Sequence, residues 1–235
     1  MSGVSVVMAA CNGAKYLPAQ LDSVLMQLDE SDEVILTIDP STDRTWQIAR
    51  EYARRFGQVK VFSGPSKGIA FNFENGLNHV SNDYVFLCDQ DDVWMPGKVK
   101  AMKEALDQPG VLLAVHDCIV TDENLKTIYP SYYKAHKSRK SRMANLIRNS
   151  FIGACIAFRK DLLNTALPFP GNLPMHDQWL GLAALKKGKV AWLDEPYVYY
   201  RRHGKNASGL SHSSLGVMID WRWRLYTGLA QRGLL

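Results

Sequence analysis

Two hydrophobic patterns alternate along the first third of the chain. Short apolar runs cover Val4 to Ala10, Asp32 to Ile38, Val59 to Phe62 and Tyr84 to Cys88. Such runs, rich in β-branched and aromatic side chains, read as strands buried on both faces. Between them apolar positions recur every three or four residues: Leu17, Leu21, Val24, Leu25 and Leu28, then Trp46, Ile48, Ala49, Tyr52 and Ala53, then the stretch Ile69 to Val80. That spacing predicts helices over Pro18 to Leu28, Thr45 to Phe56 and Ile69 to Val80, the first with its proline in the opening turn, where the missing N–H costs nothing. The order β-α-β-α-β-α-β implies a parallel sheet with helices on both faces.

The rest of the chain is less regular. Lys98 to Leu106 reads as a helix, and Val111 to Val115 as a strand running into His116-Asp117-Cys118. Residues 122 to 150 are polar, basic and tyrosine-containing, with helical period only around Met143 to Ile147. They read as a long mobile excursion with one short helix. Phe151 to Phe158 is apolar and contains Gly153 and Ala154, small residues that let a ligand approach the backbone. A helix is expected from His176 through Leu185, strands at Lys189 to Leu193 and Tyr197 to Tyr200, and a helix over Leu215 to Leu229. In that last helix positions 215, 218, 219, 222, 225, 226 and 229 share the predicted apolar face, with Trp221 and Trp223 beside Arg222 and Arg224 on its flanks.

At 235 residues the chain can bury a full core, and its composition is that of a globular protein. The net charge of +5 suits anionic ligands or an anionic membrane surface and gives no ground for a nucleic-acid partner. The cysteines Cys11, Cys88, Cys118 and Cys155 lack metal-finger spacing and lie in apolar contexts, so they read as reduced thiols in the cytosol. No apolar run reaches bilayer-spanning length, and no charged segment precedes the first run as in a signal peptide.

The chemistry concentrates at Asp89-Gln90-Asp91-Asp92, directly after the fourth strand. On an extended chain alternate side chains share a side, so Asp89 and Asp91 point together and Gln90 points away. Two such carboxylates repel unless a cation lies between them, and all-oxygen ligands suit Mg²⁺ or Mn²⁺, often with phosphate. In open parallel sheets ligands bind beyond the carboxyl ends of strands, where Asn12, Asp39 and the Asp89/Asp91 pair converge. Neither G-x-G-x-x-G after the first strand nor G-x-x-x-x-G-K-[ST] occurs, which disfavours a dehydrogenase and a P-loop NTPase.

These residues resemble a known family. Val4 to Gly13, Asp39-Pro40-Ser41-Thr42-Asp43, Asp89 to Trp94, His176-Asp177-Gln178-Trp179 and Tyr200-Arg201-Arg202-His203-Gly204-Lys205-Asn206 are similar, in order and spacing, to family 2 nucleotide-sugar glycosyltransferases of the GT-A fold, rhamnosyltransferase-like members above all. The resemblance runs from residue 4 to about 210. It implies an α/β fold, a Rossmann-like, mostly parallel sheet flanked by helices with a C-terminal helical extension. Residues 1–210 would form the GT-A domain, with a nucleotide-binding half at 1–115 and an acceptor and catalytic half at 116–210, and 211–235 the C-terminal helix.

The resemblance also implies roles. Ala10 and Asn12 would lie against base and ribose, Asp39 would bind the nucleotide, and Lys67 would sit near it. Asp89, Gln90 and Asp91 would form the donor-binding motif, with Asp89, Asp91 and the late His203 at the metal. Gly153 and Ala154 would lie near the donor sugar, and Asp177 would be the base of an inverting transfer. Ile38, Pro40 and Cys11 depart from the family pattern, which leaves a dTDP- and a UDP-linked donor both open. The implied cofactor is Mn²⁺ or Mg²⁺, and the implied acceptor a saccharide or a lipid-linked sugar in bacterial polysaccharide synthesis. The implied place is the cytoplasm or the inner membrane face, with the C-terminal helix touching membrane or a second subunit.

From the residues alone, Asp177 also suits a helix N-cap, Asp92 a cap or an orienting neighbour, His203 a surface position, and Trp94 and Trp179 the core. A nucleotidyltransferase and a non-catalytic nucleotide- or carbohydrate-binding domain are the competing functions. The first normally needs a longer basic glycine loop than Cys11-Asn12-Gly13, and the second does not need Asp177.

Overall fold

A computed structural model describes residues 3–171, 173–204 and 215–235. The predicted alternation is present as β1 (Val4–Ala10), α1 (Leu17–Leu25), β2 (Glu33–Ile38), α2 (Thr45–Arg55), β3 (Val59–Ser63), α3 (Ile69–Leu77) and β4 (Tyr84–Asp89). After these come β5 (Val93–Trp94), α4 (Lys98–Leu106), β6 (Val111–Thr121), β7 (Thr127–Tyr129), α5 (Tyr132–His136), α6 (Arg142–Ile147), β8 (Ile156–Arg159), α7 (Leu163–Ala166), α8 (His176–Lys187), β9 (Lys189–Arg201) and α9 (Leu215–Gln231).

The sheet runs β3-β2-β1-β4-β8-β6-β9-β5, with β7 on the side of β6. β1 pairs in parallel with both β2 and β4, and β2 with β3. β8 lies antiparallel between β4 and β6, so β6 again runs with β4, and β9 runs parallel to β6. All the long strands thus share one direction and only β5, β7 and β8 oppose it, which is the mostly parallel sheet the sequence predicts. Every residue of β1 and β2 is buried, as a strand covered on both faces requires.

A polar clasp fixes the amino ends of these strands. Glu33 accepts from Ser5 Oγ (2.6 Å), Ser81 N and Ser81 Oγ (2.7 Å each) and Lys60 Nζ (2.6 Å). Burial alone would raise the Glu33 carboxyl, but these donors outweigh it and hold it down at about 2.

Four elements differ from expectation. β6 continues through His116-Asp117-Cys118 to Thr121. β9 is one strand of 13 residues, not two, and its register against β6 shifts near Asp117, where Pro196 interrupts the ladder. The excursion at 122–150 carries β7, α5 and α6 rather than one short helix, with Ser131 and Ser141 capping the two helices. The expected helix over Leu215 to Leu229 forms, but its predicted face does not. Leu225 and Leu229 are buried, and Gly228 lies against Pro170 and Trp179, whereas Ile219 (65% exposed), Trp223 (65%) and Tyr226 (51%) face outward. The helix therefore has an apolar stripe on each of two sides. Arg222 anchors it by donating to the Ile147 carbonyl at 2.9 and 3.0 Å.

Candidate active site

The carboxyl ends of β1, β2 and β4 lie side by side, and their turns are tied together. Asn12, with φ +49°, takes the left-handed conformation that asparagine tolerates. Its N–H donates to Ser41 Oγ (3.0 Å), and its Oδ1 accepts from Thr42 N (2.8 Å). Asp43 accepts from Ala14 N (3.0 Å) and Thr45 N (3.0 Å), closing the same joint. Asp39 directly follows β2 and accepts from Ser66 N at 2.9 Å, which brings the loop carrying exposed Lys67 to the same end of the sheet. Ala10 is buried at the end of β1. The expected nucleotide group of Ala10, Asn12, Asp39 and Lys67 is thus gathered at one end of the sheet.

Gln90 is engaged within the protein itself. Its Nε2 donates to the Cys11 carbonyl and its Oε1 accepts from the Cys11 N–H, both at 2.9 Å. The amide is bonded on both sides and so fixes the turn after β1. A Cβ at Gly13 would lie 2.0 Å from Gln90 Oε1 and would displace that amide.

The carboxylates follow. Asp92 is fully buried and accepts from Arg201 N at 2.8 Å, while Arg201 Nε donates to the Asp91 carbonyl at 2.7 Å. Asp92 therefore orients the motif against β9. Asp91 Oδ2 meets His203 Nε2 at 2.9 Å. Tyr16 stacks on His203 with ring centroids 4.9 Å apart, and Arg201 lies over the Tyr16 ring at 4.7 Å. Lys205 and Asn206, the end of the motif, lie outside the described residues.

The charge balance of this corner is unfavourable. Burial foremost, then the charges of Asp91 and Asp177, push the Asp89 carboxyl up to about 8. Burial foremost, then Asp91 and Asp89, raise Asp92 well above the usual range. A divalent cation would relieve this repulsion. Among the described residues no three His, Cys, Asp or Glu side chains converge as a metal cluster. The protein thus offers at most a partial sphere, with Asp91 and His203 in contact and Asp89 adding charge, which ligand oxygens would have to complete. The donor set fits Mn²⁺ or Mg²⁺ bound together with a diphosphate.

α8 begins at His176, and Asp177 lies in its first turn rather than capping it. Asp177 Oδ1 accepts from Gln178 N (2.7 Å) and Asn149 Nδ2 (3.3 Å). Burial outweighs these donors and raises Asp177 to about 6. A carboxylate with that poise is ionised at neutral pH and still basic enough to take a proton. Gly153 and Ala154 form a tight turn before β8, and a Cβ at Gly153 would lie 3.1 Å from His176 Nε2. Trp94 and Trp179 are buried in the core, as expected. Sequence reasoning missed Tyr16 and Asn149, single residues of ordinary type distant in sequence from the groups they touch.

A sequence profile described as glycosyl transferase family 2 matches residues 5–167. The chain belongs to that family. A dTDP-rhamnosyl transferase of Shigella flexneri is 24% identical over 225 residues, covering 88% of this chain and 75% of its own. Staphylococcus aureus TarS, solved with UDP-GlcNAc, superposes with a TM-score of 0.76 at 20% identity, covering 97% of this chain and 66% of TarS. Glucosyl-3-phosphoglycerate synthase of Mycobacterium tuberculosis, solved with Mn²⁺, UDP and glucosyl-3-phosphoglycerate, gives 0.63 at 18% identity, with 98% and 80% covered. These likenesses show the GT-A fold. The chain spans 66% and 61% of the length of two further curated relatives. No helix among the described residues is long and apolar enough to cross a membrane.

Proposed function

We propose that this family 2 chain is a metal-dependent inverting glycosyltransferase. It takes a hexose, with rhamnose the first candidate, from a dTDP- or UDP-linked donor to a hydroxyl of a saccharide or lipid-linked acceptor. The observation that carries the reading is the proximity of two acidic sites. Asp91 pairs with His203, and Asp177, raised to about 6, lies close enough for its charge to act on Asp89. The Shigella relative supports dTDP-rhamnose, and the UDP-bound structures keep UDP open.

The roles follow from the groups. Ala10, Asn12, Asp39 and Lys67 receive the nucleotide, and the turn at Gly153 and Ala154 faces the sugar. Asp177 takes the proton of the acceptor hydroxyl as its oxygen bonds to the anomeric carbon and the bond to the diphosphate breaks, which inverts the anomeric centre. When bound, the divalent ion would offset the charge gathering on the diphosphate. Asn149 holds Asp177 in place.

Outward-facing Ile219, Trp223 and Tyr226, with Arg222 and Arg224 nearby, support a peripheral contact of α9 with the cytoplasmic membrane face that carries lipid-linked acceptors. A second subunit is the competing occupant.

The test is Asp177→Asn. Donor turnover should fall by about 10²-fold or more with nucleotide binding retained. Unchanged turnover would favour a binding domain without catalysis.

A further inference from the structure

The buried Lys98 has no part in the function proposed above, and its surroundings give it one. Its side chain has no accessible surface. It opens α4, directly after Gly97, whose φ of +86° admits the sharp entry into the helix. The ammonium lies over the Trp94 ring, 4.0 Å from its centroid, and donates to the Ala154 carbonyl at 2.6 Å. Burial lowers the ammonium to about 8, yet it is still mostly charged at neutral pH. Its charge acts on Asp89, on Asp92 and on the thiols of Cys88 and Cys155.

The turn it grips is the one that lies against Asp177. A Cβ at Gly153 would come 4.0 Å from Asp177 Cβ, and the Cys155 N–H closes the turn on the Ile152 carbonyl at 2.9 Å. Lys98 pulls on the carbonyl of the residue between them. From the sheet side it thus fastens the peptide that the catalytic carboxylate leans on, while standing beside the acidic metal corner. A buried ammonium is costly to desolvate, so a lysine retained here is matched by its partners.

We propose that Lys98 is a positioning residue for glycosyl transfer, which through Ala154 sets the sugar-side turn and Asp177 in register with the Asp89/Asp91 corner. It touches neither donor nor acceptor. This deepens the proposed function and rests on it.

Three proteins test it: wild type, Lys98→Met, which keeps length and removes the donor and charge, and Lys98→Gln, which keeps a neutral donor. Transfer is followed with a nucleotide-sugar donor and Mn²⁺, calorimetry measures the nucleoside diphosphate with Mn²⁺, and hydrogen exchange reads the amides of 153–155. Lys98→Met should lose about tenfold or more in kcat, keep diphosphate affinity within about threefold, and exchange the turn amides about tenfold faster. Lys98→Gln should fall between it and wild type. Unchanged kcat in Lys98→Met, or parallel loss of kcat, donor KM and diphosphate affinity along with a falling melting temperature, would overturn the proposal. If Lys98→Met does not fold, Lys98→Gln decides by the same split between kcat and diphosphate affinity. A wild type that fails to bind diphosphate with Mn²⁺ would instead defeat the function proposed above.

Discussion

His203 Nε2 lies 2.9 Å from Asp91 Oδ2, with 10% and 13% of the two side chains exposed. They lie 112 positions apart in the chain, one after β4 and one after β9. The pair can close on a cation only when β9 is in register, which the bonds from Arg201 to Asp92 and to the Asp91 carbonyl secure.

Asp91→Ala should therefore remove metal-dependent nucleotide-diphosphate binding, by about 10²-fold or more in affinity, while sparing the fold. Removing one carboxylate also relieves repulsion in the metal-free protein, so its melting temperature should hold or rise. His203→Ala should cost about 10- to 100-fold in affinity. Calorimetry with Mn²⁺ checks both, and wild-type affinity in Asp91→Ala would refute the assignment.

The acid limb of the pH profile belongs to Asp177. Burial lifts its carboxyl to about 6, and the base must be ionised. Transfer should rise about tenfold per pH unit below that value and level off above it. The same shift has a stability consequence. A carboxyl raised in the folded state favours the neutral form, so its contribution is full below the unfolded pKa and is lost as pH rises through about 6. Asp177→Asn should accordingly raise the melting temperature at pH 7.5 and leave it unchanged at pH 3.5. A gain of equal size at both values would show that the carboxylate is not destabilised.

Glu33 should behave in the opposite sense. Its carboxyl is held at about 2 against an ordinary 4.5, so its contribution is full above the unfolded value and fades as pH falls toward 2. The shift corresponds to roughly 3 kcal/mol at neutral pH. Glu33→Gln should be destabilised by that order in urea at pH 7 and by much less at pH 2.5. Similar destabilisation at the two values would contradict the assignment of the bonds from Lys60, Ser5 and Ser81.

In α9 the two apolar stripes should separate under mutation. Leu225→Ala should cost about 2–5 kcal/mol, because the site is buried. Trp223→Ser should cost under about 0.5 kcal/mol, being exposed. Deleting residues 215–235 would strip Leu225, Leu229 and Leu234 from the core, so the truncated chain should be unstable, not merely unable to bind membrane. If Trp223→Ser sediments with anionic liposomes as wild type does, the membrane contact of this face is refuted.

The sequence carried the first half of the fold because its signals there are local. Each of β1, β2 and β4 is an uninterrupted apolar run, and each helix between them shows its own period. Later elements depend on partners. β9 looks like two strands because Asp194, Glu195 and Pro196 interrupt its hydrophobicity, and only pairing with β6 carries it through. The buried face of α9 could not be chosen from spacing, since Ile219 and Tyr226 satisfy the same helical period as Leu225 and Leu229. The approach of Asp91 to His203 follows the order of the motifs, whereas the bond from Gln90 to Cys11, 79 positions away, has no local signal. Tyr16 and Lys98 carry no local signal and gain their meaning only from what the fold sets beside them.

The central claim is that the acidic corner after β4 binds a nucleoside diphosphate through a divalent ion. Thermal unfolding of the wild-type chain, with UDP or dTDP and with or without Mn²⁺, tests it directly. A ligand held at about 100 times its Kd stabilises by about 2.7 kcal/mol, a shift of a few degrees for a chain of this size. The account predicts that shift only when nucleotide and Mn²⁺ are present together, and its loss in Asp91→Ala. A shift of equal size with nucleotide alone, or none under any combination, would contradict it.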